Sequence, residues 1–261
     1  MTHSWFSKIF LSLENPQFRL LWTASIISML AYMMQWPVMA VVAYDLAGSN
    51  GAVGFVNLGM GLSMLLVGPF GGVIADRVSK KPMVLGGQII IGASFFVTGV
   101  MILAGVMTLV WLMLLTALMG LAFAFLGPTQ QAWVGEVVPR QMLPNAVALT
   151  QLSASGTRVA GPFVAGIMLG TVAIGSGGAY LFMGALFVMV VFTVSRLPAT
   201  RAKPDVERLP ITEELMAGVR YVARDPAIRT LVLLYTAVAI LGFMWQIVLP
   251  ALLERHLGRS P

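Results

Sequence analysis

The sequence predicts an all-α membrane protein, a six-helix bundle of inverted three-helix repeats followed by a seventh transmembrane helix. Three observations carry this prediction. First, 58% of the 261 residues are hydrophobic and 10% are charged, with a mean hydropathy of +0.89; an ordinary soluble domain carries about a quarter charged residues. Second, predominantly apolar runs of about 20 residues, the length that crosses a bilayer, occur seven times along the chain. Third, Lys and Arg gather in alternate connectors between these runs, which is the pattern of membrane topology and not of a nucleic-acid surface, despite the net charge of +6. The 27 Gly and 18 Met fit helices packed closely in lipid. With no Cys, disulfides and thiolate metal sites are excluded.

Residues 1–19 form an amphipathic segment. Trp5, Phe6, Ile9, Phe10 and Leu13 recur at helical spacing, interrupted by Ser4, Lys8 and Ser12, so a short helix lying in the cytoplasmic interface is expected. Asn15-Pro16 breaks it before the first run, which is too long for a signal-peptide core and reads as a retained span. The spans are expected at 20–44, 52–74, 83–104, 108–130, 146–170, 178–194 and 227–252. This divides the chain into the interfacial segment 1–19, a bundle at 20–197, a linker at 198–226 and the seventh span with its C-terminal tail at 227–261.

Orientation follows from the connectors. Those at 45–51, 105–107 and 171–177 hold no Lys or Arg, whereas those at 75–82, 131–145 and 195–226 hold Arg77, Lys80, Lys81, Arg140 and a series from Arg196 to Arg224. Lys8 and Arg19 fall on the same side as these, and only Arg255 and Arg259 fall opposite. The positive-inside rule then places the N-terminus and the basic connectors in the cytoplasm of a cell whose inner (plasma) membrane the chain crosses. Within the linker, Thr212 is the expected N-cap of a helix whose first turn holds Glu213 and Glu214 and whose apolar stripe is Leu215, Val219 and Val222. Asp225-Pro226 ends that helix and starts span 7.

Prolines reveal an internal repeat. Pro37 and Pro128 in spans 1 and 4 lie 91 residues apart, and Pro69 and Pro162 in spans 2 and 5 lie 93 apart, the second pair within a repeated Gly-Pro-Phe at 68–70 and 161–163. Spans 2 and 5 run in opposite directions, so spans 1–3 and 4–6 read as inverted units.

The connector at 72–81 reads Gly72-Val-Ile-Ala-Asp76-Arg77-Val-Ser-Lys80-Lys81. It resembles the loop 2–3 signature of the major facilitator superfamily, with Gly72, Asp76, Arg77, Lys80 and Lys81 in register and Ser79 where the pattern usually has Gly. The stretches at 15–22 (Asn-Pro-Gln-Phe-Arg-Leu-Leu-Trp), 158–162 (Arg-Val-Ala-Gly-Pro) and 214–226 are similar to the macrolide-efflux and enterobactin-exporter-like branch. The resemblance implies a two-bundle carrier of which this chain carries the N-terminal bundle and one further span. A missing C-terminal bundle, or a second half-carrier, is then an expected partner beside the lipid bilayer and a small-molecule substrate. It also implies a gate latch, with Asp76 facing a helix N-terminus of the second bundle and Arg77 bridging helix ends. The other reading of these residues is topology charges with Asp76 capping span 3. An Arg-x-x-Gln-Gly motif, common in proton-driven antiporters, would end at Gly120; Thr116 and Met119 stand in its Arg and Gln positions.

Other residues invite a role by position. Arg158 lies near the middle of span 5, where a guanidinium costs about 2.5–3.5 kcal/mol and should face the bundle interior or a wet cavity. With Gly161, Pro162 and Gly166, and Gly156 and Gly170 around them, it makes a close-packing, kinkable helix. Arg158 is then either a pivot that also anchors an anionic substrate group, or a hydrogen-bond hub between helices. Tyr32 and Gln35 share a face of span 1, Gln131 ends span 4 and Gln246 lies late in span 7, a substrate pathway for a bulky amphipathic molecule among Met and aromatic side chains. Asp45 is a candidate protonation site at the outer side or a plain helix-end residue, and no carboxylate falls mid-span. Gly54, Gly61, Gly68 and Gly72 form a stripe expected to touch a neighbouring helix.

Nothing in the sequence resembles a catalytic constellation or a phosphate-binding loop, and the glycines 175, 177 and 178 read as an outside turn. The expected function is secondary-active export of a macrolide-like drug or siderophore by alternating access. No cofactor beyond a proton gradient, no nucleic acid and no enzymatic activity are expected. The other reading is a truncated or half-length chain that does not transport without a second bundle.

Overall fold

In a computed structural model the described residues are 10–171, 173–198 and 210–238, with the side chains of Asp76, Ile211, Glu214 and Val219 outside the description. Among them the structure is all-helical. It divides into two compact units, Met1–Val206 and Glu207–Pro261.

The first unit holds six long helices: α1 (Pro16–Ala47), α2 (Asn50–Arg77), α3 (Lys80–Leu103), α4 (Leu109–Val137), α5 (Leu143–Gly170) and α6 (Gly175–Ser195). Each covers one expected span to within a residue and runs past it at one end or both, because polar residues at the ends continue the helix after the apolar run has stopped. Local chemistry sets the ends. The Asn15 side chain accepts from the N–H groups of Gln17 and Phe18, and Pro16 occupies the first turn, where a missing N–H is no loss. At the other end Gly48 takes φ 63°, a conformation that closes α1 through its own N–H to Tyr44 O and that a Cβ would disfavour. Thr108 caps α4 through Trp111 N.

Among the described residues, α1, α2, α3, α4 and α6 are long and apolar enough to cross a membrane. Helix α5, expected as span 5, has 28 residues but too many polar ones to qualify by composition. Of the seventh span, Pro226–Val238 is described as a shorter apolar helix.

The most extensive contacts are α2 with α4, α3 with α6 and α1 with α5, followed by α1 with α6 and α3 with α4. Exchanging α1 with α4, α2 with α5 and α3 with α6 turns this set of pairings into itself. Glycine makes the approaches close. A Cβ on Gly120 would lie 2.9 Å from Met60 O, and one on Gly59 2.8 Å from Met113 O, so α2 and α4 meet backbone to backbone. Between α3 and α6, Gly92 receives Phe187 and Gly184 receives Phe96, beside an aromatic cluster of Phe95 with Tyr180 and Phe187. Gly54, Gly61, Gly68 and Gly72 have open space where a Cβ would stand, so the expected stripe of α2 is not the contact face; Gly59 and Gly71 are.

All four span prolines lie inside continuous helices. Each lacks the N–H that would bond the carbonyl four residues back. Gly71, two residues after Pro69, packs on the Ala124 carbonyl freed by Pro128; Gly161, just before Pro162, packs on Met33, whose carbonyl is freed by Pro37. The two proline-weakened turns are thus each met by a glycine beside the other helix's proline.

Residue 10 and the short 3-10 helix Leu11–Glu14 are the described part of the N-terminal segment, and residues 1–9 lie outside the description. Ser12 N donates to Asn145 Oδ1 and Ser12 Oγ to Met142 O, while Asn15 Nδ2 donates to Val137 O. This segment is therefore tied to the α4–α5 connector. The glycines expected as an outside turn divide: Gly175 has φ 55°, whereas Gly177 and Gly178 lie in α6, with Gly177 against Leu103.

In the second unit, α7 (Ile211–Arg224) begins two residues earlier than expected, after Pro210, and Thr212 is inside it and not its cap. Asp225 ends α7, and its carboxylate accepts from Ala227 N and Ile228 N, capping α8 (Pro226–Val238).

Candidate functional site

The connector between α2 and α3 holds two lysines with separate tasks. Lys80, in the first turn of α3, is buried and its Nζ lies 3.3 Å from Glu136 in the last turn of α4. Burying an ammonium is costly unless a carboxylate answers it, so the pair ties α3 to α4 at this end of the bundle. Lys81 Nζ donates to Ser195 O at 2.7 Å and to Leu197 O at 2.5 Å. These carbonyls close α6, where the helix dipole also favours a cation. The two lysines therefore clamp three helix ends. Arg77 is half-buried in the last turn of α2, and Gly72 has open space where a Cβ would stand. Asp76 belongs to that last turn while Ser79 is the N-cap of α3, so Asp76 does not cap span 3; its side chain lies outside the description.

At the same end of the bundle, α1, α4 and α5 diverge around a cavity of about 480 Å³, within the usual range for small-molecule sites. Trp22, Met29 and Phe123 give it apolar walls, and Gln130, Gln131 and Gln151 bring amides. Ser25, Ser28, Thr150 and Ser153 add hydroxyls. Each hydroxyl donates to a carbonyl of its own helix: Ser25 to Leu21 O, Ser28 to Ser25 O, Thr150 to Ala146 O and Ser153 to Leu149 O. What these four groups offer a guest is acceptor lone pairs, while the amides offer both donors and acceptors. No ionisable side chain lines this cavity among the described residues. Trp22 Nε1 donates to Leu149 O at 3.2 Å, joining α1 to α5 beside the cavity.

The expected pathway residues separate in space. Gln131 is exposed and lines the cavity. Tyr32 does not; its ring lies 4.1 Å from that of Phe123, a cavity wall, and packs edge-on to Trp36. Gln35 is 3% exposed, with Oε1 lacking a hydrogen-bond partner among the described residues, so it is a core amide and not a cavity one. Gln246 lies outside the described residues. Asp45 is exposed in the last turn of α1. Thr116 and Met119 are both buried in α4.

Arg158 is exposed, without a hydrogen bond or ion pair among the described residues. It is neither inside the bundle nor a hub between helices. Its carbonyl loses the Pro162 N–H as expected, yet α5 remains helical through Gly170. Of the α5 glycines only Gly161 makes a close approach; Gly156, Gly166 and Gly170 face open space.

Among the polar cavity residues that the sequence did not single out, Thr150, Gln151 and Ser153 are on α5, and Ser25, Ser28 and Gln130 are on α1 and α4. A partial signal for those on α5 exists in the sequence, since this helix is not among those apolar enough to cross a membrane. A polar run within a spanning-length helix marks the side that faces protein or water.

No curated protein matches the chain. The family described as transmembrane secretion effector, of the major facilitator type, matches residues 7–260. A loop that clamps helix ends, a cavity between three helices and a match over nearly the whole sequence agree: this multi-pass membrane chain belongs to the transmembrane secretion effector family of transporters.

Proposed function

We propose that the chain is part of a secondary-active exporter that moves small amphipathic molecules by alternating access, with macrolide-like drugs or siderophores as the substrate range. The observation that carries this reading is the cavity between α1, α4 and α5, whose apolar walls and amide and hydroxyl groups suit such a molecule. The symmetric helix pairings and the reciprocal proline–glycine contacts support two inverted three-span units. On this reading α5 crosses the membrane with its polar side toward the cavity, and Pro226–Val238 begins a seventh span. The basic connectors support a cytoplasmic N-terminus in an inner-membrane protein, with the cavity toward the same side.

Alternating access needs two bundles around one site, so the partner we infer is a second bundle, from a C-terminal half or a second half-carrier. In that assembly Asp76 and Arg77 would belong to the latch, with Lys80 and Lys81 as its fixed base, since the lysines bind Glu136 and the end of α6. Pro162 and Gly161 mark the pivot, where α5 lacks a backbone hydrogen bond and touches α1. Proton exchange is the proposed drive, with Asp45 as the candidate protonation site.

Efflux of dansyl-glycinamide and dansyl-glycine from preloaded cells, with and without the gene that encodes the chain, tests the proposal. Gene-dependent efflux that a protonophore abolishes is expected. Equal retention of both probes in the two strains overturns export, and efflux indifferent to the protonophore overturns proton coupling.

A further inference from the structure

Gln151 and Arg158 are seven residues apart on α5, two turns along one face, and Ala154 lies one turn before Arg158. Gln151 and Ala154 line the cavity. Arg158 is not itself a lining residue, but one turn beyond Ala154 on the same face its long side chain is within reach of the rim of a cavity that is otherwise uncharged among the described residues. It is exposed and unpaired among the described residues, so it is free to meet a guest.

From this we infer that the cavity takes an amphipathic molecule carrying one acidic group, the acid paired with Arg158 and the neutral body held below it by Trp22, Phe123 and the amides. The inference rests on the reading of this cavity as the substrate site. Charge decides the class. An ammonium in the cavity would meet no carboxylate among the described lining residues and would face a fixed cation, whereas a carboxylate or phenolate gains a bidentate, charge-assisted partner. The same contact removes the cost of leaving the guanidinium unanswered at membrane depth. Below the rim, hydroxyls whose donors are already spent accept from the guest, and the amides of Gln130, Gln131 and Gln151 bond its neutral oxygens. An acidic amphipath with hydroxyl or amide groups along its body satisfies both regions; a lipophilic cation satisfies neither.

Three fluorescent probes of matched body test this: dansyl-glycine (anionic), dansyl-glycinamide (neutral) and dansylcadaverine (cationic). They are titrated onto the full chain in phosphatidylcholine nanodiscs. Dansyl-glycine should bind about tenfold tighter than dansyl-glycinamide, with dansylcadaverine weakest. Arg158→Gln should bring the anion to the affinity of the neutral probe, and Arg158→Lys should keep part of the preference. Gln151→Leu should weaken the anionic and neutral probes together, and Arg196→Gln, at the exposed end of α6, should leave the preference intact. Absence of the preference in the parent chain overturns the inference, as does its survival in Arg158→Gln or its loss in Arg196→Gln. Indifference of both probes to Gln151→Leu overturns the cavity as the place. Because binding is read without transport, a preference that stands beside failed efflux removes only the transport reading. Efflux without the preference removes only this one.

Discussion

Gly161 and Gly166 lie five residues apart on α5, and only the first has a neighbour against it. A Cβ at Gly161 would run into Met33 and stand 3.0 Å from the Met33 carbonyl carbon and 3.1 Å from Met34 N. These are backbone atoms of α1, which cannot turn aside as a side-chain tip does. Gly161→Val should therefore destabilise the chain by about 1–3 kcal/mol, while Gly166→Val, opening onto free space, should stay within about 0.5 kcal/mol of the parent. Denaturant unfolding in detergent, followed by circular dichroism, measures both. Equal effects would show that the α1–α5 contact is not what Gly161 serves. At the same scale, Lys80 and Glu136 illustrate how a motif residue changes meaning once its neighbour is known. A lysine in a short basic loop reads as a topology charge, yet its burial against a carboxylate from another helix makes it a structural tie.

Among the elements, α6 depends on a residue outside itself. Its last carbonyls have no intrahelical partner, and Lys81 donates to Ser195 O and Leu197 O from the start of α3. Lys81→Met should cost about 1 kcal/mol at that helix end, read as roughly fivefold faster hydrogen exchange at Arg196 and Leu197. The N–H groups of these residues bond Thr193 O and Val194 O in the final turn. Unchanged exchange there would mean that water caps the end as well as the lysine does. Helix α5 shows the opposite dependence, of composition on place. It is not among the helices apolar enough to cross a membrane, and its Thr150, Gln151 and Ser153 line the cavity, where polar groups meet other polar groups. The ends of elements were read closely where capping chemistry is local, as at Asn15 and Asp225. At Thr212 the capping signal is not decisive, because Pro210 starts the turn earlier.

For the whole molecule, orientation is the property to test first. The absence of Cys makes single-cysteine labelling clean. Ser49→Cys, between α1 and α2, should react with an impermeant maleimide in intact cells, whereas Ser79→Cys, between α2 and α3, should react only after the membrane is opened. The reverse result would invert the molecule and place the cavity toward the outer side. The pairing of helices follows a symmetry that the proline offsets hinted at, and it brings together α1 with α5 and α2 with α4, neighbours that no connector joins directly.

By itself the sequence determined that the chain is helical and membrane-embedded, where most of its apolar runs lie and which connectors share a side. Hydropathy and charge are summed along the chain and need no partner. The Gly-Pro-Phe repeat and the loop at 72–81 were legible for the same reason, being contiguous. Tertiary structure decided the rest, because it depends on which face of a helix meets which neighbour. It separated Gly59 and Gly71 from the equally regular Gly54, Gly61 and Gly68, and it buried Gln35 while leaving Gln131 and Arg158 exposed. Rotation of a helix about its own axis leaves hydropathy unchanged and alters every contact, so only packing against a second helix distinguishes a core amide from one that lines a cavity.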